Sequence, residues 1–199
     1  VISFTNIALY AQNKDPYELM INGVKVIVQP SNNDIVEIQT IIKGGVQNYT
    51  ADKQGIEALA MAAITECGTE KESKDAFKNK LDNVSGNIMA GTDNDYATIR
   101  MNCIKSDFET VWPLYVHAIT VPLFDANEFE KVKQDAINGL KAEASQPDHS
   151  IDILARQTAF AGKDYAKQPD GTEATLKNIS ANECQAYYKS ILTKSKMFI

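Results

Sequence analysis

Gly55-Ile56-Glu57-Ala58-Leu59-Ala60-Met61-Ala62-Ala63-Ile64-Thr65-Glu66-Cys67-Gly68-Thr69 is the stretch on which the reading of this chain turns. Ile56, Leu59, Ala60, Ala63, Ile64 and Cys67 recur in steps of three and four, the spacing of one apolar helical face. The remaining face is also apolar. Ala58, Met61 and Ala62 stand at i, i+3 and i+4, so they share a side of the helix. None of the three can bind a metal or move a proton. Two readings stand side by side: the face is covered by a partner or a closed chamber, or the helix is buried on both sides. Glu57 and Glu66 read as solvated charges flanking it.

Upstream, Glu18–Met20, the Asn22-Gly23 turn and Val24–Val28 predict a hairpin. Residues 34–43 form a β-branched strand that ends at Gly44-Gly45. Downstream, residues 73–84 predict a second helix. Strands follow at 87–91 and 96–104, joined by the polar turn Asp93-Asn94-Asp95. Ser106-x-x-Glu109 has the form of a capping box opening a helix toward Thr120. Asp125 caps a long helix toward Ala144, with Phe129, Val132, Ala136 and Leu140 on one face. Another helix spans 150–161, and Ser180-x-x-Glu183 caps the last, which runs to about Leu192. Hairpins followed by paired helices imply an α+β fold, an antiparallel sheet packed with helices.

Composition fits one folded domain: 199 residues, 44% hydrophobic and 23% charged. The net charge of −6 disfavours nucleic acid and anionic membranes, which call for clustered basic residues. Three scattered cysteines, Cys67, Cys103 and Cys184, form neither a disulfide framework nor a zinc cluster. No run is long enough to insert in a membrane. His117 and His149 fall in separate elements without ligands at metal spacing, and Cys67 with His117 has nothing to orient it as a dyad. The sequence opens without Met and stops at Lys196-Met197-Phe198-Ile199, which reads as the start of a strand, so a piece of a longer protein is expected. Residues 1–16 form a leader or linker. One reading is the tail of a signal peptide with Leu9-Tyr10-Ala11 as a small-residue cleavage site, which would lean toward export to the periplasm; the other is a lead-in from an upstream domain. Residues 17–199 form the single domain.

The landmarks come in a distinctive order: Asn22–Val28, Gly44-Gly45, Gly55–Thr69, Pro122-Leu123-Phe124, Glu128-Phe129 through Lys133, Pro147, Tyr165, Pro169-Asp170-Gly171-Thr172, and Tyr188–Met197. In this order and spacing the chain resembles the insulinase/pitrilysin family of zinc peptidases from about Tyr17 to its last residue. The resemblance implies one half, about 200 residues, of a two-half subunit. In active members the helix after Gly55 carries His-x-x-Glu-His, two zinc ligands and a general base. Here those positions read Ala58, Met61 and Ala62. Gly55–Gly68 is one residue longer than the family spacing; counting back from Gly68 gives Leu59, Ala62 and Ala63 instead, again without a ligand. The third family ligand is a Glu roughly 75–80 residues further on, and that slot is Gly139, or Leu140 one register over. The resemblance therefore implies a non-catalytic type of domain, with no cofactor in this chain and zinc expected only in an active partner half.

Two functional classes follow from the resemblance. In the first, the chain is a non-catalytic peptidase homologue that helps an active half or subunit, in the same chain or a separate one, enclose a peptide-binding chamber. In the second, it is a structural or assembly module of the same fold with no role in proteolysis. Family members pair substrate backbone with an edge strand near the active site, which survives loss of the ligands because it uses only backbone groups. The strand carrying Ile35, Glu37, Gln39 and Ile41 is the candidate for that role.

Overall fold

A computed structural model describes residues 15–199. The leader or linker expected over 1–16, with its Leu9-Tyr10-Ala11 site, lies outside the described residues but for the last two. Strands β1 (Tyr17–Ile21) and β2 (Val24–Val28) form the expected hairpin, with Asn22 and Gly23 both at positive φ in the turn. Strand β3 (Ile35–Lys43) leads through two short 3₁₀ turns to helix α1 (Ile56–Glu66) and then α2 (Lys74–Asp82). Strands β4 (Asn87–Thr92) and β5 (Tyr96–Ile104) form a second hairpin. Helices α3 (Phe108–Thr120), α4 (Ala126–Ala144), α5 (Pro147–Ala159), the short α6 (Glu173–Lys177) and α7 (Ala181–Ile191) follow, and the chain returns as β6 (Met197–Phe198).

The sheet order is β1-β2-β6-β3-β5-β4. The fold is α+β, and the sheet is mixed. Among the described residues the one parallel pair is β2 with β6, which enters between β2 and β3; the other pairs are antiparallel. Even-numbered residues of β3 face the helices, where Thr40 and Ile42 are buried. Tyr115 on α3 ties that layer together. Its hydroxyl lies 2.8 Å from Thr40 Oγ1 and 2.9 Å from the Ile99 carbonyl, so its one proton serves one of them, and it accepts from the Thr40 amide at 3.0 Å. The core is continuous from α1 through α3, α4 and α7, with Phe77, Phe129, Tyr115 and Tyr188 among its large side chains.

Capping holds in part. Ser180 and Glu183 form the expected box at the start of α7, and Asp125 accepts from the amides of Asn127 and Glu128. The box expected at Ser106 does not form. A 3₁₀ turn over Lys105–Asp107 carries the chain into α3, so the N-cap falls one residue later, on Asp107, which makes no side-chain cap. Helix α5 begins at Pro147, not at Ser150, because proline fits the first helical position, where its missing N–H costs nothing.

Candidate functional site

Helix α1 runs through the middle of the molecule, against β4, α4 and α7. Its start is pinned by a close approach of two loops. Gly55 and Gly171 both hold positive φ, +86° and +79°. A β-carbon on Gly171 would stand 2.6 Å from the Gln54 carbonyl oxygen, and one on Gly55 would stand 2.8 Å from that of Asp170. Only glycine meets both demands. Through this joint Gly55 and the Pro169-Asp170-Gly171-Thr172 block form one structural unit. A second joint seats the end of β3 on the β4–β5 turn, where the Gly44 amide donates to the Asp95 carbonyl at 2.7 Å and the Val46 amide to that of Asn94 at 2.8 Å.

The positions that the resemblance assigned as degenerate ligand slots lie largely together. Ala58, Ala62 and Gly139 line one cavity of about 270 Å³, together with Leu59, Leu140 and Asp170. The slots counted in both registers thus open onto the same space, except two. Met61 is 1% exposed and Ala63 fully buried, so both lie inside the core. The expectation that Met61 shares a partner face with Ala58 and Ala62 is corrected on this point: α1 has packing on nearly every side, and only the small side chains at 58 and 62 stay partly open. A histidine pair at 58 and 62 would project into this cavity. The alanines leave it without a ligand, and among the described residues no group of three His, Cys, Asp or Glu side chains is placed to hold a metal.

Charged groups do surround it. Asp170, beside the cavity, has its carboxyl pushed up by burial, and the nearby Glu143 carboxylate adds to that; His149 and Arg156 oppose it. His149 lies 3.6 Å from Glu143, and both line an adjoining cavity of about 170 Å³ with Arg156 and Asp170. His117 is engaged elsewhere, its Nδ1 3.1 Å from Glu72. Cys67 is buried with its thiol pushed up to about 12 by that burial, so it is no nucleophile, and His117 does not pair with it.

Glu57 overturns its expectation. It is 2% exposed, not solvated, and it accepts a hydrogen bond from the Tyr187 hydroxyl across to α7. Burial raises its carboxyl above the usual range, against the lowering effect of that hydrogen bond and of Lys196. The signal lay in its neighbours one turn on, Ala60 and Met61, which are apolar and buried. Glu66 does reach solvent, paired with Lys78.

Strand β3 is interior and not an edge. Strand β5 pairs with it along its whole length, and β6 takes its other side at Ile41 and Ile42. Ile41 is therefore paired on both sides, whereas Ile35, Glu37 and Gln39 are paired only with β5. The sheet's outer strand beside α1 is β4. All four β3 residues nevertheless share one feature: they are odd-numbered, and so lie on the sheet face opposite the one where Thr40 and Ile42 are buried, a face that no helix among the described residues covers. Met20, Ile27, Ile35, Met89, Tyr96 and Ile104, all large and exposed, lie on that same face. Arg100 stands among them, donating to Gln39 at 3.2 Å and 3.8 Å from Glu37.

The comparisons agree with this arrangement. The model of the insulinase family (peptidase family M16) matches residues 25–172. A probable mitochondrial-processing peptidase subunit alpha from Schizosaccharomyces pombe is 21% identical over 179 residues, covering 90% of this chain and 36% of that protein. A crystal structure of a peptidase M16 inactive domain from Pseudomonas fluorescens superposes with a TM-score of 0.78 at 16% identity, over 87% of this chain and 42% of that one. A protease from Helicobacter pylori gives 0.84 at 14% identity, over 94% and 45%. The chain thus spans less than half the length of each of these relatives. With the family model covering most of its length, the chain belongs to the insulinase family, peptidase family M16.

Proposed function

We propose that this chain is a non-catalytic half of an M16 assembly. It supplies one wall of a chamber that binds extended peptides, and a second half of the same fold closes over it and carries the zinc. The observation behind this reading is the cavity at Ala58, Ala62 and Gly139. The fold delivers the three positions to one place, and the side chains there can neither hold a metal nor activate water. The uncovered sheet face supports the chamber. Large exposed apolar side chains, Met20, Ile27, Ile35, Met89 and Ile104, stand among charged and polar ones on that face, a mixture suited to contact with a partner or a peptide. An extended peptide on this face meets apolar side chains flanking Glu37, Gln39 and Arg100, and β4, the outermost strand among the described residues, offers it an edge.

Titration of a fluorescein-labelled unfolded peptide into the chain, followed by anisotropy, tests this. The variant Ile35→Glu with Met89→Glu should weaken binding about tenfold, on the order of 1.4 kcal/mol, while the urea midpoint stays near that of the parent. Equal binding by parent and variant would sink the chamber wall. Absence of peptide binding in a protein that still assembles with its second half would favour a purely structural module.

A further inference from the structure

One end of the sheet face opposite the helices gathers lysines on a chain that is acidic as a whole. The net charge is −6, yet Lys25, Lys43 and Lys194 line one cavity of about 440 Å³ with Met20, Ile27 and Phe198. Strand pairing brings them together. Met20 stands opposite Lys25, Lys25 opposite Phe198, and Phe198 opposite Ile41, two residues before Lys43. Residues paired across a sheet point to the same face, and so do residues two apart on one strand. Lys194 comes in from the turn before β6, beside the Asn22-Gly23 hairpin.

The three ammonium groups differ in what they already hold. Lys25 is paired with Glu18 at 3.0 Å. Lys194 donates to the Asn22 carbonyl at 2.9 Å, a neutral acceptor that leaves its charge uncompensated. Lys43 lies over the Phe198 ring, 5.6 Å from its centre, and makes no ion pair among the described residues. Two of the three cations therefore lack a carboxylate there. Between them the floor is apolar and open: Met20 is 68% and Ile27 45% exposed, and the Phe198 ring lies beside them.

We propose that this end of the face binds the C-terminal residue of an extended peptide, its carboxylate held by Lys43 and Lys194 and its apolar side chain laid on Met20, Ile27 and Phe198. That role depends on the face being the chamber wall proposed above, and it adds which end of a peptide the wall selects. Charge complementarity carries the choice. A carboxylate supplies the charge that the two lysines lack, and charge-assisted hydrogen bonds are roughly twice as strong as neutral ones. An apolar side chain beside that carboxylate takes the floor out of water. The cavity has the size of a small-ligand pocket, which suits the end of a peptide and not a folded domain. A nucleic acid offers phosphate but no apolar end, and the net charge of the chain repels it.

The test compares the peptide Ala-Thr-Ala-Thr-Ala-Leu with a free C-terminal carboxylate and the same peptide amidated, both labelled at the N-terminus and followed by anisotropy. The free acid should bind about tenfold more tightly, and its advantage should shrink with added salt. Lys43→Gln with Lys194→Gln should erase that advantage and leave the affinity for the amide unchanged; both side chains are exposed, so the fold does not depend on them. Ile35→Glu with Met89→Glu, away from the lysines, should weaken both peptides. Equal binding of acid and amide by the parent would overturn the proposal and leave the chamber wall standing, whereas binding of neither would remove both. An acid preference that survives the lysine substitutions would also overturn it. So would octanoate that displaces the free acid at equal concentration, which assigns the site to a free fatty acid.

Discussion

At the residue scale, two side chains of α1 separate the pattern of the helix from its surroundings. Met61, expected from the resemblance on the face of the chemistry, lies in the core, so Met61→Asp should unfold the domain, not free a surface. Burying an unpaired carboxylate there costs several kcal/mol, about 3–5 by analogy with broken buried ion pairs. Loss of the cooperative urea transition checks it; a folded Met61→Asp protein would contradict the packing described. Glu57 gives a pH signature. Its folded carboxyl is raised above the unfolded value, so the native state holds its proton longer than the unfolded chain does. Its contribution is fully present below about pH 4.3 and is lost as pH rises through the folded value. Glu57→Gln keeps an acceptor for Tyr187 without the charge. Relative to parent, it should therefore gain stability between pH 4 and pH 8, read from paired urea titrations at the two pH values. A variant that tracks the parent across that range would show that Glu57 does not carry this effect.

At the element scale, the joint between Gly55 and Gly171 fixes where α1 begins. Gly171→Ala places a β-carbon against the Gln54 carbonyl at a positive φ, and should cost about 2 kcal/mol or more. A shift in urea midpoint of less than a quarter of that would mean the loop relaxes. Gly139 makes the opposite case. It lies exposed inside α4 with nothing within 4 Å of an added β-carbon, so Gly139→Ala should stabilise by about 1 kcal/mol. The same open space admits a longer side chain. Ala58→His with Ala62→His and Gly139→Glu should bind zinc more tightly than the parent, measured by competition with a chromogenic chelator. Turnover should stay negligible, since no general base is restored and no outer groups orient the new ligands. Zinc affinity equal to the parent's would show that the three positions do not converge as described.

Much of this level was legible from spacing alone. The Asn22-Gly23 hairpin, the β3 strand, the apolar stripe of α1 and the Ser180–Glu183 cap rest on local rules, and local rules suffice for them. The misreadings share a cause: they depend on what packs against an element. Sequence spacing put Met61 on one face with Ala58 and Ala62, but α1 is enclosed, and small rotations decide which side chains reach the cavity. Glu57 looked exposed because carboxylates usually are, and no local pattern announces the Tyr187 hydroxyl about 130 residues away. Strand β3 was an edge candidate on the family resemblance alone, and pairing with β6, from the far end of the chain, leaves no trace in its own residues.

At the scale of the whole molecule, two features share one meaning. The covered side of the sheet is a finished core around Tyr115, Phe77 and Phe129. The other side, as far as the described residues show, exposes Met20, Ile27, Ile35, Met89 and Ile104 among charged side chains, and the cavity at Ala58, Ala62 and Gly139, proposed here as a degenerate ligand site, holds no metal-binding or proton-moving group. Both are what a half-subunit requires if it shapes a chamber while another half performs hydrolysis. The most direct measurement of that claim is the zinc content of the purified chain after exhaustive dialysis, by elemental analysis alongside protein concentration. The account predicts far less than one zinc per chain, and no chelator-sensitive cleavage of unfolded peptide by the same preparation. One tightly held zinc per chain, with cleavage that chelation abolishes, would contradict it.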